Sequence, residues 1–265
     1  MTYIDTLLNQ PLPLLILGVF VVLAVASELG FFAGRFLSRH FRKEQPALDV
    51  DNNVSTITNS SLALLALFLG FTFSSALDHF EKNREAVTNE AAAITAASEI
   101  INFQPSPFKL RLKDSLGEYL DTRLKVADLP NDPDAIRMLH QESRIKQKQL
   151  WAIAEEQSAK EPESSMLQPL IEALNNVVAA ETVRTESLIN GVPNGLFMPV
   201  ALFLLFNGVL MGVSLGEGAR RHILLSWGLY FLVALAVGII VDLDRPLKGF
   251  INVDQQAMIN LKTAL

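Results

Sequence analysis

No cysteine occurs anywhere in the 265 residues. Disulfides, thiolate metal sites and a cysteine nucleophile are thereby excluded, and the redox compartment is left open. A basic surplus is also missing: 22 Lys and Arg stand against 28 Asp and Glu, for a formal charge of −6. Nucleic acid is not an expected partner, because binding phosphates demands a basic surface. No P-loop and no H-E-x-x-H signature is present. The four histidines (His40, His79, His140 and His222) are scattered, and they read as ordinary exposed side chains. No nucleophile, base or metal constellation can be assembled from sequence, so an enzyme is not expected and no cofactor or metal is implied. Strand patterns and solenoid-length repeats are absent too.

What the chain has instead is apolar sequence. Its hydrophobic fraction is 50% and its mean hydropathy +0.29, above the usual soluble composition. The apolar residues gather in four runs, near 12–34, 60–77, 196–215 and 223–241. Each is about the ~20 residues that a helix needs to cross a ~30 Å hydrocarbon core. Ala24-Val25-Ala26 resembles a signal-peptide cleavage site, but no Lys or Arg precedes the first run, so a retained helix is expected. The fold class expected is all-α: an integral membrane protein with four transmembrane helices in two hairpins and a helical extramembrane domain between the second and third. The boundaries are 1–77 for the first hairpin, 78–195 for the helical domain and 196–265 for the second hairpin and C-terminal tail.

The first run follows the breakers Pro11 and Pro13 and ends at Arg35, Arg39, Arg42 and Lys43. Pro46 with Asp49, Asp51, Asn52 and Asn53 reads as a loop, so the second helix is expected to start near Ser60. No Gly or Pro interrupts the chain from Phe71 to Asn102, which predicts one helix leaving the membrane as a stalk. Leu112, Leu116, Leu120 and Leu124 recur every four residues and predict an amphipathic helix. A polar helix is expected over about 134–160. Another should carry a buried stripe of Leu167, Leu170, Ile171, Leu174, Val177 and Val178. The breaker 190–195 then leads into a hairpin of the third and fourth runs.

Lys and Arg in short loops mark the cytoplasmic face. They occur after the first run and at Arg220 and Arg221, whereas none precedes the first run. Both termini and the helical domain are therefore expected outside, in the periplasm of a bacterial inner (cell) membrane. The 13 basic and 19 acidic residues between 78 and 190 bear little on this, since long segments translocate largely regardless of charge.

Few residues stand out as candidates. Glu28 is an acid inside the first run, either functional or reaching the interface and Arg35. Asn207 in the third run reads as interhelical hydrogen-bonding glue. Where the second run ends, Asp78, Glu81 and Glu85 share a helix face with Lys82 and Arg84 nearby. In an oligomer such a face makes an acidic ring or a divalent-ion site; alone it is a solvated, salt-bridged face. Asp242, Asp244 and Arg245 close the last run and can pair with groups at the mouth of the second. No recognised loop spacing supports a Ca²⁺ site there.

Three strings, LGFTFSSALDHFEKNREAV (69–87), NEAAAI (89–94) and VDLDRPLKGFINV (241–253), resemble signatures of the bestrophin-like family of bacterial integral membrane proteins. The resemblance covers most of the chain. It implies kinship with bestrophins, pentameric anion channels whose pore is lined by the second membrane helix with aromatic or apolar rings at a neck. By that resemblance the pore-lining candidates are Phe73, Leu77 and Phe80, with Thr72 on the hydroxyl-bearing surface; helix packing is the alternative for the phenylalanines. The expected partners are the lipid bilayer, further copies of the chain (a homo-oligomer, by resemblance a pentamer) and inorganic anions. In bestrophins the helical domain is cytosolic, whereas the loop charges here place it outside. The competing function is a non-conducting, membrane-anchored sensory or scaffolding protein whose helical domain binds a ligand or partner.

Overall fold

The computed structural model describes residues 10–41, 47–217 and 223–264. Arg42, Lys43, Pro46, Arg220, Arg221 and His222 lie outside these residues, as do the side chains of Arg39 and His40. Among the described residues there is no strand. The helices are α1 (Leu12–Phe41), α2 (Ala47–Asn102), α3 (Phe108–Leu124), α4 (Pro133–Lys160), α5 (Leu167–Ile189), α6 (Asn194–Glu217), α7 (Ile223–Leu243) and α8 (Gln256–Ala264), with a 3₁₀ turn at Lys125–Asp128.

Two boundaries differ from expectation. Asp49, Asp51, Asn52 and Asn53 are helical rather than looped, because α2 begins at Ala47 and not near Ser60. Once a helix is nucleated by a long apolar run, adding a turn costs little even for residues of poor propensity, and acids are favoured near its positive N-terminal end. Pro13 lies within the first turn of α1, where its missing N–H has no helical partner to lose.

The chain forms two compact units, one within Met1–Leu77 and Val192–Asp242, the other within Asp78–Gly191 and Leu243–Leu265. Among its described residues the first unit holds four stretches long and apolar enough to cross a membrane, in α1, in α2 up to Leu77, and in α6 and α7. A small internal cluster of Leu23, Leu65, Val200, Leu204 and Tyr230 holds it together. Most of its large apolar side chains point outward: Phe32 is 66% and Leu224 85% exposed. Such a surface is a liability in water but suits hydrocarbon, where apolar burial does not hold helices together.

Small residues do that instead. Gly30 and Gly34 of α1 face the backbone of Val209 and Val213, while Gly212 and Gly216 of α6 face Ser27 and Phe31. A Cβ on Gly30 or Gly212 would fall inside van der Waals contact of the opposing carbonyl oxygen. The two helices therefore approach backbone to backbone along a stripe of glycines four residues apart. Asn207 is buried and donates to the carbonyls of Phe203 (2.8 Å) and, on α2, Ser61 (3.4 Å).

In the second unit α2, α3, α4, α5 and α8 surround a core of Ile94, Ile101, Leu112, Leu116, Tyr119, Leu120, Leu150, Leu170, Leu174 and Met258. The four-residue leucine repeat and the α5 stripe thus supply the buried faces. Met258 and Leu261 bring the C-terminal helix into this core, a return for which the sequence carries no local signal.

Candidate functional site

The second unit opens at Asp78, immediately after the apolar part of α2. With 56 residues α2 is more than twice as long as the ~20 residues that a hydrocarbon core requires. Along it Gly70, Phe73, Ser74, Leu77, Glu81, Arg84, Glu85, Thr88, Ala92, Thr95, Ala96 and Glu99 are all exposed. Their spacing of three to four residues puts them on one face. That face is apolar at Phe73 (42% exposed) and Leu77 (38%), charged over the next two turns, and then small and polar.

The other two candidates sit elsewhere on α2. Thr72 is buried and its hydroxyl donates to the Phe68 carbonyl at 2.7 Å. Phe80 is half-buried against the core of the second unit. Among the charged candidates Asp78 pairs with Lys82 at 2.6 Å, both largely solvated, a geometry worth little by itself. Glu81, Arg84 and Glu85 are exposed, Asp242 is buried at the end of the first unit, and Arg245 is half-buried. Among the described residues, no three Asp, Glu or His converge to hold a metal ion.

His79 is not the ordinary exposed histidine that its charged surroundings in the sequence suggest. Its ring is buried, with Nδ1 3.2 Å from Asp244 Oδ1 and Nε2 2.9 Å from the Ser187 carbonyl. Asn83 flanks it, donating to the His79 carbonyl at 3.0 Å. A Cβ on Gly191 would lie 3.1 Å from the Asp244 carboxylate, so a glycine leaves that carboxylate room. His79 therefore joins three separated segments of the second unit: the start of its α2 portion, the end of α5 and the residues after α7. The Asp244 carboxylate beside Nδ1 and the Ser187 carbonyl at Nε2 favour the imidazolium, although the Asn83 amide nitrogen also lies 3.0 Å from Nε2. Burial disfavours that charge, but the Asp244 carboxylate and the Ser187 carbonyl outweigh burial and raise the histidine above its ordinary value.

This stabilisation is complete below about pH 6.5, the ordinary histidine value, and is lost as pH rises through the raised one. Melting of the detergent-solubilised protein should therefore show an advantage of wild type over His79→Gln that shrinks with rising pH. An advantage independent of pH between 5.5 and 9 would count against the charged form.

Deeper in the second unit lies a buried ionic network. Glu90 of α2 accepts from Arg123 Nε at 2.5 Å and from Arg184 Nη1 at 2.6 Å, and Tyr119 donates to it at 3.2 Å. Arg123 also lies 3.2 Å from Glu181, which accepts from Thr185 and stands 2.8 Å from His140 Nδ1. Arg184 reaches Gln255 beyond α7 at 2.6 Å. Glu90, Arg123, Glu181 and Arg184 are almost wholly excluded from solvent. Burial pushes the Glu90 carboxyl up, yet the two guanidiniums outweigh it and hold it below the usual carboxylate value. Burial and the Glu90 charge together push Tyr119 well up, so it stays a neutral donor. The network ties α2, α3, α4, α5 and the C-terminal segment into one body.

In the first unit Glu28 is half-buried in a small cleft lined by Ser27, Ser226, Trp227 and Tyr230. Tyr230 donates to Ser27 there at 2.6 Å. The string Gly212-Val213-Ser214-Leu215-Gly216 matches a nucleophile elbow by letter. That motif works on a sharp strand-to-helix turn, whereas this string runs through the interior of α6.

Among the described residues, four membrane-length helices and a further all-helical unit make this a multi-pass integral membrane protein. The bestrophin-like domain model matches residues 15–258, and the chain belongs to the bestrophin-like family. Its fold is similar to the crystal structure of a bacterial bestrophin homologue from Klebsiella pneumoniae, at 13% identity over 93% of this chain and 96% of that one, with a TM-score of 0.64. A point mutant of that homologue matches equally well, at 13% identity, 94% and 96% coverage and a TM-score of 0.64. A structure described as a membrane protein matches at 12% identity over 94% and 96% of the two chains, with a TM-score of 0.67. Identities this low speak to fold alone. No curated protein matches the sequence.

Proposed function

We propose that the protein is an ion channel assembled from identical subunits around α2. The carrying observation is the single exposed face of that helix, unbroken from Gly70 and Phe73 to Glu99. A ring of such faces provides an apolar constriction at Phe73 and Leu77 followed by a wider polar passage of Thr88, Ala92 and Thr95. Apolar constrictions gate by dewetting, and charged rings set selectivity. The fold shared with bestrophin homologues supports this plan, and by that kinship the ring is a pentamer.

Kinship with bestrophins argues for inorganic anions as the permeant species. The exposed charges of α2 support a second reading, cation permeation. Asp78, Glu81, Glu85 and Glu99 outnumber Lys82 and Arg84 on its exposed surface, and a closed ring multiplies that excess by the number of subunits. Reconstitution in liposomes with a KCl gradient tests both points. Ion flux is expected, with a rate changed about tenfold by Phe73→Ala, since constriction residues act directly on the barrier. A reversal potential on the chloride side supports anions, and one on the potassium side supports the second reading. Folded oligomer that passes neither potassium nor chloride would leave the non-conducting anchor or scaffold as the function.

A further inference from the structure

We infer that residues 246–253, the loop that follows the last membrane helix, form a lipid-contacting tip that seats Phe250 and Ile251 in the bilayer interface. The loop is a built feature. Val253 N–H donates to the Pro246 carbonyl at 3.0 Å and closes it. Asn131 fixes one arm, accepting from the Leu247 N–H at 3.3 Å and donating to the Lys248 carbonyl at 3.2 Å. Leu247 is buried with Val126, Ile136 and Leu139, and Val253 is buried in the main core of the second unit. With its base held this way, the tip of Lys248, Gly249, Phe250, Ile251 and Asn252 is exposed. Phe250 is 77% and Ile251 41% exposed.

Position within the second unit points to lipid as the occupant. Asp244, two residues before the loop, lies 3.2 Å from His79, and His79 is two residues past Leu77, where the apolar run of α2 ends. The loop base is thus pinned at the level where α2 leaves its apolar stretch. Its chemistry fits the same place: an aromatic ring at the boundary of headgroups and acyl chains, and an ammonium beside the lipid phosphates. Lys is depleted from protein–protein interface cores, which weighs against a neighbouring subunit as the cover. The inference rests on membrane embedding and not on conduction, so a protein that passes no ions leaves it standing.

The test uses the full chain in phosphatidylcholine–phosphatidylglycerol vesicles, with Trp151 and Trp227 replaced by Phe and Phe250→Trp as sole reporter. Lipids brominated at shallow acyl positions should lower its emission by about half, as for a residue a few ångströms below the headgroups. Asn176→Trp on the exposed face of α5 should be unaffected. Emission from position 250 no more quenched than from position 176, in protein that elutes as the wild type does, would overturn the inference. Should the tryptophan variant fail to fold, Ile251→Cys bearing an environment-sensitive fluorophore reads the same surface, because the chain has no other cysteine. A water-like emission maximum in vesicles would overturn it equally.

Discussion

Glu90→Gln is expected to destabilise the second helical unit by about 3–5 kcal/mol, the usual consequence of removing one partner from a buried ion pair. The substitution keeps the shape of the side chain but leaves Arg123 and Arg184, both almost wholly buried, without the carboxylate that accepts from each of them. Glu181 remains near Arg123, so the loss falls hardest on Arg184. Domains are stable by only about 5–15 kcal/mol, and the variant should therefore unfold early in denaturant. Trp151 packs on the second unit's core and Trp227 lies in the first unit. Single-tryptophan versions report on the two units separately. The Trp151 transition should move by the stated amount and the Trp227 transition by much less. A shift of the Trp151 transition below about 1 kcal/mol would mean that the network is not the clamp described here, since even an ordinary buried hydrogen bond is worth that much.

Gly212→Leu should prevent α1 and α6 from packing at all. Even a Cβ at that position meets the Ser27 carbonyl and lies 2.7 Å from the Phe31 backbone nitrogen. The obstacle is backbone, which cannot rotate away as a side chain can. Alanine should cost about 1–3 kcal/mol, as overpacking does, and leucine should yield protein that elutes as aggregate from detergent. Gly70→Ala is the control, because nothing lies within 4 Å of a Cβ there; that variant should elute normally and melt as the wild type does. Normal elution and melting of Gly212→Leu would show that the helices do not approach backbone to backbone.

The membrane helices were legible because hydrophobic length is a property of composition, visible without knowing what a residue touches. The boundaries of α3, α4 and α5 were legible for a similar reason, since prolines and glycines punctuate locally. The glycine stripe was also available in the spacing of Gly208, Gly212 and Gly216, and of Gly30 and Gly34, but an apolar run averaged over its length hides it. The early start of α2 was missed because Asp and Asn lower local propensity, whereas a 56-residue helix carries them along. The charged sites were beyond reach for a different reason. Glu90 meets arginines 33 and 94 residues away, and His140 meets Glu181 at a separation of 41. No periodic pattern records such pairs, so His79 and His140 looked like any other surface histidines. Exposure along α2 likewise separated Phe73 and Leu77 from Thr72 and Phe80, a distinction that helical spacing alone left open.

In the proposed channel the exposed face of α2 borders the route taken by ions. Ala92→Cys places the sole thiol of the protein on that face, well beyond the apolar run. Flux through liposome-reconstituted Ala92→Cys should fall by about tenfold on reaction with a bulky, charged thiol reagent, as when a charged ring is placed in a pore. Asn176→Cys should be unaffected by the same treatment. Complete labelling at Ala92→Cys with flux unchanged would contradict the account.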